Sequence, residues 1–85
     1  MIRHDPGATF VLVWCDTCAE WTQPAMSKMH AHLVGANHER KVHPSSDQAR
    51  DAAWQYGRQH ADELRAFRGI TEYAVIIDAW ASGRD

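Results

Sequence analysis

The sequence predicts a single α+β domain, in which two short strands and a helix are followed by two further packed helices. Three observations predict it. A strand-length run of β-branched and aromatic residues lies near the start, apolar residues recur at helical spacing through the rest, and no long linker separates the segments. At 85 residues the chain has room for only one domain. A domain this small buries about 60% of its unfolded surface, so an additional cross-link would stabilise it.

The first 21 residues predict the strands. Residues 1–8 contain Pro6 and Gly7 and are interpreted as a frayed lead-in. The run from 9 to 14 (TFVLVW) has the length and composition of a strand. Cys15 to Cys18 interrupts it as a turn, and residues 19–21 can return as a short second strand.

The first helix is predicted from about Pro24, because proline is favoured in a first helical turn. Met26, Met29 and Leu33 recur at three- and four-residue spacing along it. We expect the helix to loosen at 35–37 (GAN), and the ββα unit to occupy residues 9–43.

Two helices are predicted for the second half of the chain. Ser45 and Gln48 have the spacing of a capping box and open a long helix over 45–69. Thr71 caps a last helix over 71–83, for which a strand through 73–78 (YAVIID) is the competing interpretation. The apolar face of the long helix comprises Ala49, Ala53, Tyr56, His60, Leu64 and Phe67.

Composition and charge limit the functional classes. The chain is 45% hydrophobic and 24% charged, which is ordinary for a globular protein, and its net charge is −2. That balance opposes binding of nucleic acid by bulk electrostatics. Two cysteines exclude a disulfide-rich secreted scaffold. We expect a cytoplasmic protein without membrane contact, because neither a signal peptide nor a run of about 20 apolar residues is present.

Seven arginines, two lysines and thirteen alanines are typical of a GC-rich genome, such as that of an actinobacterium or its phage.

The pattern Cys15-x2-Cys18-x13-His32-x5-His38 predicts a metal site. Zinc prefers four thiolate or imidazole ligands in a tetrahedron, and a CxxC turn places two thiolates side by side. Four protein ligands leave no open coordination position, so we expect one structural Zn²⁺, although iron or another metal remains an alternative. A reduced cysteine pair beside unrelated histidines is the other interpretation.

The remaining histidines are weaker candidates. The six-residue step from His32 to His38 overshoots a helical repeat, so the helix must widen or stop between them. His30 is the nearest rival ligand, but it lies roughly 200° around the helix from His32. His4 and His43 are expected to be solvated, and His60 to be a core histidine.

Residues 12–41 resemble the matrin-type, double-stranded-RNA-binding branch of Cys2His2 zinc fingers. The segment from His32 to His38 (HLVGANH) matches the H-L-x-G-x-x-H core of that branch, and basic residues follow it at 40–41. The resemblance covers about a third of the chain. It implies a ββα finger with Cys15, Cys18, His32 and His38 as ligands, and nucleic acid as the partner.

Two surfaces are candidates for binding a partner. On the second helix, Arg50, Trp54 and Arg58 are spaced four residues apart and so lie on the same side. An indole between two guanidinium groups suits stacking on a nucleic-acid base or anchoring of a protein partner. Aspartates three or four residues away could instead pair with these arginines and leave a solvated face. In the finger, Lys28, Arg40 and Lys41 form the second candidate, and an ordinary solvated surface is the alternative there.

These observations predict a small zinc-stabilised binding module that acts through protein–protein interaction, as an adaptor or inhibitor. The alternative is a zinc finger that binds double-stranded RNA or DNA, and a homodimer is compatible with either. We expect no enzyme, because the sequence has no phosphate-binding glycine loop and no recognisable nucleophile motif.

Overall fold

The fold is α+β, as predicted. The computed structural model describes residues 2–7, 10–18, 21–67, 69–70, 73–74 and 76–77. A three-stranded antiparallel sheet in the order β1-β2-β3 is followed by helices. The elements are β1 (Ile2–Pro6), β2 (Val11–Cys15), β3 (Thr22–Ala25), α1 (Lys28–Val42), α2 (Gln48–Gln59) and α3 (Ala61–Ala66). None of the helices within these ranges is long and apolar enough to cross a membrane.

Strand β1 lies where a frayed lead-in was expected, so that expectation was wrong. It pairs with β2 from Ile2 opposite Cys15 to Pro6 opposite Val11. The Gly7 N–H donates to the carbonyl of Phe10 at 2.8 Å, which continues the ladder into the connecting turn. The strand carries few apolar residues, and its pairing with β2 holds it in place.

Strand β3 occupies residues that were expected to begin the first helix. Pro24 lies within it, which is compatible with β3 being an edge strand, since proline is confined to such strands in a sheet. The helix begins later, at the N-cap Ser27, whose hydroxyl accepts from the His30 N–H at 3.2 Å. The strand predicted at 19–21 falls largely on residues 19 and 20, which lie outside the described ranges.

Helix α1 runs without a break through Gly35, contrary to the loosening expected at 35–37. Every residue from Leu33 to Glu39 is buried, because the sheet packs on one side of α1 and α2 on the other. At Gly35 a Cβ atom would lie 2.7 Å from Cγ2 of Ile2. Gly35 therefore permits β1 to approach α1 and does not interrupt the helix.

Glu39 fixes α2 against α1. Its buried carboxylate accepts from the backbone N–H groups of Ala49 at 2.9 Å and Arg50 at 3.0 Å, and from the Ser46 hydroxyl at 3.0 Å. The two backbone N–H groups are orphan donors of the first turn of α2, so Glu39 caps that helix from a neighbouring one. The predicted capping box at Ser45 is wrong, because the N-cap is Asp47 and its side chain makes no capping bond.

The long helix predicted over 45–69 is divided at His60, whose backbone leaves the helical region at φ −130° and ψ 53°. The His60 side chain is 40% exposed, pairs with Glu63 at 3.1 Å and stacks on Tyr56, so it is not a core histidine.

In the last segment, 73–74 and 76–77 are helical with Tyr73, Ile76 and Ile77 buried, which favours helix over strand there. The rest of the predicted 71–83 helix lies outside the described ranges.

Gly35→Ala tests the close approach of β1 to α1. Alanine has the higher helix propensity by about 1 kcal/mol. Overpacking against Ile2 costs about 1–3 kcal/mol, so we expect a net loss of unfolding free energy in denaturant titrations. Combining Gly35→Ala with Ile2→Ala should cost less than the sum of the two single changes. Stabilisation by Gly35→Ala alone would contradict the packing role.

Candidate metal centre

Four side chains converge where the sheet meets the end of α1. Cys15 ends β2, Cys18 completes the CxxC turn, His38 lies in the penultimate turn of α1, and His43 is its C-cap. One ligand atom from each lies within 4.8 Å of all the others. Among the described residues this is the one group of three or more such side chains that could hold a metal ion.

The spacing of these atoms suits a tetrahedral metal. Nε2 of His43 lies 3.3 Å from Sγ of Cys18 and 3.6 Å from Sγ of Cys15. A tetrahedron with Zn–S bonds of about 2.3 Å and Zn–N bonds of about 2.0 Å has S···N edges of about 3.5 Å. The two measured distances bracket that edge, so the separations of His43 from both sulfurs match those of a tetrahedral zinc site.

His38 supplies the observation that most directly indicates a metal. Its Nε2 is buried and has no hydrogen-bond partner, and Trp21 stacks on its ring at a centroid distance of 3.9 Å. A buried polar atom without a partner costs about 1–3 kcal/mol. A metal ion in the cluster would bind this nitrogen, and the indole of Trp21 shields it from water.

The two thiols differ electrostatically. Burial opposes ionisation of Cys15, but hydrogen bonding lowers its pKa to about 6, chiefly through Thr17 with a contribution from His38. The Thr17 hydroxyl lies 3.1 Å from this sulfur. Burial and the neighbouring Cys15 raise the pKa of Cys18. Because the thiolate is the metal-binding form of cysteine, Cys15 is prepared as a ligand before an ion arrives.

The prediction that His32 is a ligand was wrong, because the structure places His43 in the cluster instead. Since α1 is regular between residues 32 and 38, their side chains lie about 120° apart around the helix. His32 packs against His4 at 4.7 Å and Tyr56 at 4.9 Å between ring centroids. Burial, with His4 and Lys28 nearby, lowers the pKa of His32 to about 4.

His30, the rival ligand considered from the sequence, also lies away from the cluster. Its Nδ1 accepts from the Met26 N–H at 2.9 Å, so in the neutral ring Nε2 carries the proton. That nitrogen lies 3.1 Å from the hydroxyl of Tyr73. His30 therefore joins the start of α1 to the C-terminal segment.

His43 was the ligand that sequence reasoning missed, since it was expected to be solvated. Helix α1 continues past His38 and ends at His43, its C-cap, where the backbone leaves the helical region at φ −127° and ψ 62°. The signal was present in His43-Pro44, because the residue before proline is disfavoured in helical conformation. A histidine at a helix end can turn toward a site that one within the helix cannot reach.

The candidate binding residues of α2 are mostly engaged within the chain. Arg50 contacts Glu39 at 3.3 Å and Asp47 at 2.9 Å, and it also donates to the Pro44 carbonyl at 3.1 Å. The Arg58 guanidinium lies 4.7 Å from the ring centroid of Trp54, which packs against the core. The pairing of Arg50 with Asp47 is the kind of ion pair that the alternative interpretation expected.

The three basic residues of α1 do not form one patch. Lys28 lies at its start, with Nζ 5.7 Å from the Tyr56 ring. Arg40 and Lys41 are exposed in its last turn, roughly 18 Å farther along the axis, and Arg40 donates to the Asn37 side chain at 3.2 Å.

No protein-family model, no curated protein and no solved structure matches this chain. The Cys2His2 cluster therefore stands on its geometry alone. The ligand set that it brings together differs from the one implied by the matrin-type resemblance by the exchange of His32 for His43.

Paired histidine variants test this assignment. We expect His43→Ala to weaken zinc binding by about 100-fold or more, because even loss of a residue that supports a ligand costs 10–100-fold. His32→Ala should retain one zinc per chain. Competition with a chromophoric chelator measures both affinities, and circular dichroism checks folding. Loss of zinc in His32→Ala, with retention in His43→Ala, would restore the ligand set predicted from the sequence.

Proposed function

We propose that this chain is a small zinc-stabilised module that acts through protein–protein contact, as an adaptor or inhibitor. The observation that supports it best is the closed set of four Cys and His ligands. Structural zinc sites use four protein ligands, whereas catalytic sites keep one position open for water or substrate. We propose no enzymatic role for the cluster.

The zinc ion would join the sheet to the helix that packs on it. Cys15 and Cys18 hold the end of β2 and its turn, while His38 and His43 hold the end of α1. In small zinc domains the metal contributes about 10–16 kcal/mol of apparent folding free energy. A rigid frame of this kind suits a module whose surface must keep its shape to be recognised.

The distribution of charge favours a protein partner over nucleic acid. Phosphate binding depends on lysines and arginines that are available to release counterions. Arg50 is paired with two acids and Arg65 with Asp62 at 3.3 Å, and the chain carries a net charge of −2. Nucleic-acid binding remains the alternative, supported by the matrin-type resemblance and by the exposed pair Arg40 and Lys41.

Metal analysis of the purified chain tests the structural role of the ion. We expect one zinc per chain, and loss of helical circular dichroism when a strong chelator removes it, because the cluster joins sheet and helix. Re-addition of zinc should restore the signal and so controls for irreversible damage. A metal-free chain that keeps its spectrum in chelator would refute the proposed module.

The partner class is tested by titrating short double-stranded RNA and DNA with the zinc-loaded chain at low and moderate salt. We expect no specific, salt-sensitive complex, because Lys28 lies roughly 18 Å along α1 from the exposed pair Arg40 and Lys41. The paired variant Arg40→Glu/Lys41→Glu is compared with Arg65→Glu, which changes an exposed arginine of α3. Tight binding that salt weakens, and that only the Arg40 and Lys41 changes abolish, would establish the nucleic-acid alternative.

A further inference from the structure

The face of the sheet opposite α1 carries an unusually apolar row. Burial alternates along β2, with Val13 and Cys15 buried under α1 and Leu12 and Trp14 on the opposite face. Phe10, which continues the same ladder, is 46% exposed. We call this face the outer face; its described residues are Phe10, Leu12 and Trp14 on the central strand, Arg3 and Asp5 on β1, and Thr22 and Pro24 on β3.

Such a face normally carries polar residues when it is left in water. Here every outward position of the central strand is a large apolar side chain, in a chain whose mean hydropathy is −0.51. Met26, which follows β3 at the same end of the sheet as Phe10, is 82% exposed. Aromatic residues and methionine are enriched at interfaces, so the composition favours a contact surface.

The polar residues of the outer face complement each other across a two-fold axis. Arg3 lies beside Trp14 in the register, and Asp5 beside Leu12. An axis that crosses the strands at the level of Val13 would place Arg3 of one copy over Asp5 of a second copy. It would also place Trp14 over Leu12 of the second copy. Arg3 is 52% exposed and Asp5 is exposed, so both can reach across.

A shallow depression of about 410 Å³ lies on the same face and includes Leu12, Trp14 and Thr22 in its lining. In the two-fold arrangement the indole of Trp14 from each copy lies over Leu12 of the other, at one edge of this depression. Two sheets that pack face to face lie about 10 Å apart, a separation that interdigitated side chains fill.

We propose that the outer face is a self-association interface, through which two copies of this chain pack sheet to sheet about that axis. The proposal deepens the protein-contact function above and rests on it. A face of three strands and five residues measures only about 14 by 16 Å. This is well below the roughly 800 Å² per partner of a standard stable interface, so the dimer is weak and reversible, with a Kd in the micromolar range or above.

Charge favours a second copy over nucleic acid at this face. The Arg3 guanidinium already pairs with Asp16 at 3.5 Å, and Asp5 adds an exposed carboxylate, so the described residues of this face present no excess of positive charge to a phosphate. A second copy instead offers an aspartate to Arg3 and an arginine to Asp5.

The test is sedimentation equilibrium of the zinc-loaded full chain from about 10 µM to about 1 mM, a range that brackets the expected Kd. We expect a concentration-dependent dimer. Trp14→Thr and Phe10→Ser should each raise the Kd about tenfold or more, as truncation of a central aromatic does. The matched control is Ile70→Ser, which removes an apolar side chain of similar exposure (44%) away from the sheet and should leave the Kd unchanged.

A charge exchange identifies the arrangement of the two copies. Arg3→Glu and Asp5→Arg should each weaken the dimer, because each places like charges opposite one another. The double variant Arg3→Glu/Asp5→Arg should recover most of the affinity, although the contact of Arg3 with Asp16 is lost in it. Failure of the double variant to recover would overturn the proposed axis.

Zinc content is measured on every sample so that the two proposals can fail separately. A chain that binds one zinc but stays monomeric up to about 1 mM overturns the interface and leaves the zinc module intact. A dimer that Trp14→Thr does not weaken overturns the interface as well. A chain that dimerises through this face without binding zinc overturns the proposed function only.

Discussion

The closure of α1 onto the sheet by the Cys2His2 cluster is the constraint on which the rest of the structure depends. The start of α1 is held by its short connection to β3, and at its far end His43 contacts the two cysteines of the turn after β2 at 3.3 and 3.6 Å. With both ends fixed, the helix lies across the sheet at a set distance. Ile2 can then reach α1 because Gly35 presents no side chain at the crossing point.

The same turn of α1 also orients the second half of the chain. His38 faces the cluster, and Glu39, roughly 100° farther around the helix, faces the start of α2. Whatever fixes the position of His38 therefore also fixes the Glu39 carboxylate that caps α2. The position of Arg50 is fixed in turn, because Glu39 and Asp47 hold its guanidinium. Two adjacent residues thus couple the metal site to helix packing. This coupling explains why an arginine that suited a binding surface is used internally.

Local sequence patterns predicted the α+β class, the cysteine pair and His38, because each depends on residues close in the chain. The fourth member of the cluster could not be predicted in this way, because the choice between His32 and His43 depends on where the helix ends. A helix that is regular from 32 to 38 turns His32 away from His38, and one that ends at 43 lets His43 turn toward it. Gly35 illustrates the same limit. Its low helix propensity predicted a break, whereas packing against Ile2, 33 residues earlier in the sequence, decides its role. Strand β1 was missed because pairing with β2, and not its own composition, makes it a strand.

Under the proposed function, a metal cross-link explains how so small a domain can keep large apolar side chains outside its core. Burying one such side chain contributes about 1.5–3 kcal/mol, whereas a structural zinc contributes about 10–16 kcal/mol. The ion would offset the part of the burial stabilisation that Phe10, which is exposed, and Leu12 and Trp14, which are half-buried, do not supply from the outer face. The alternation of β2 links the two roles, because Cys15 points inward to the cluster and Trp14, its neighbour, points outward. The residue that brings the central strand into the cluster thereby also sets the position of the half-buried indole.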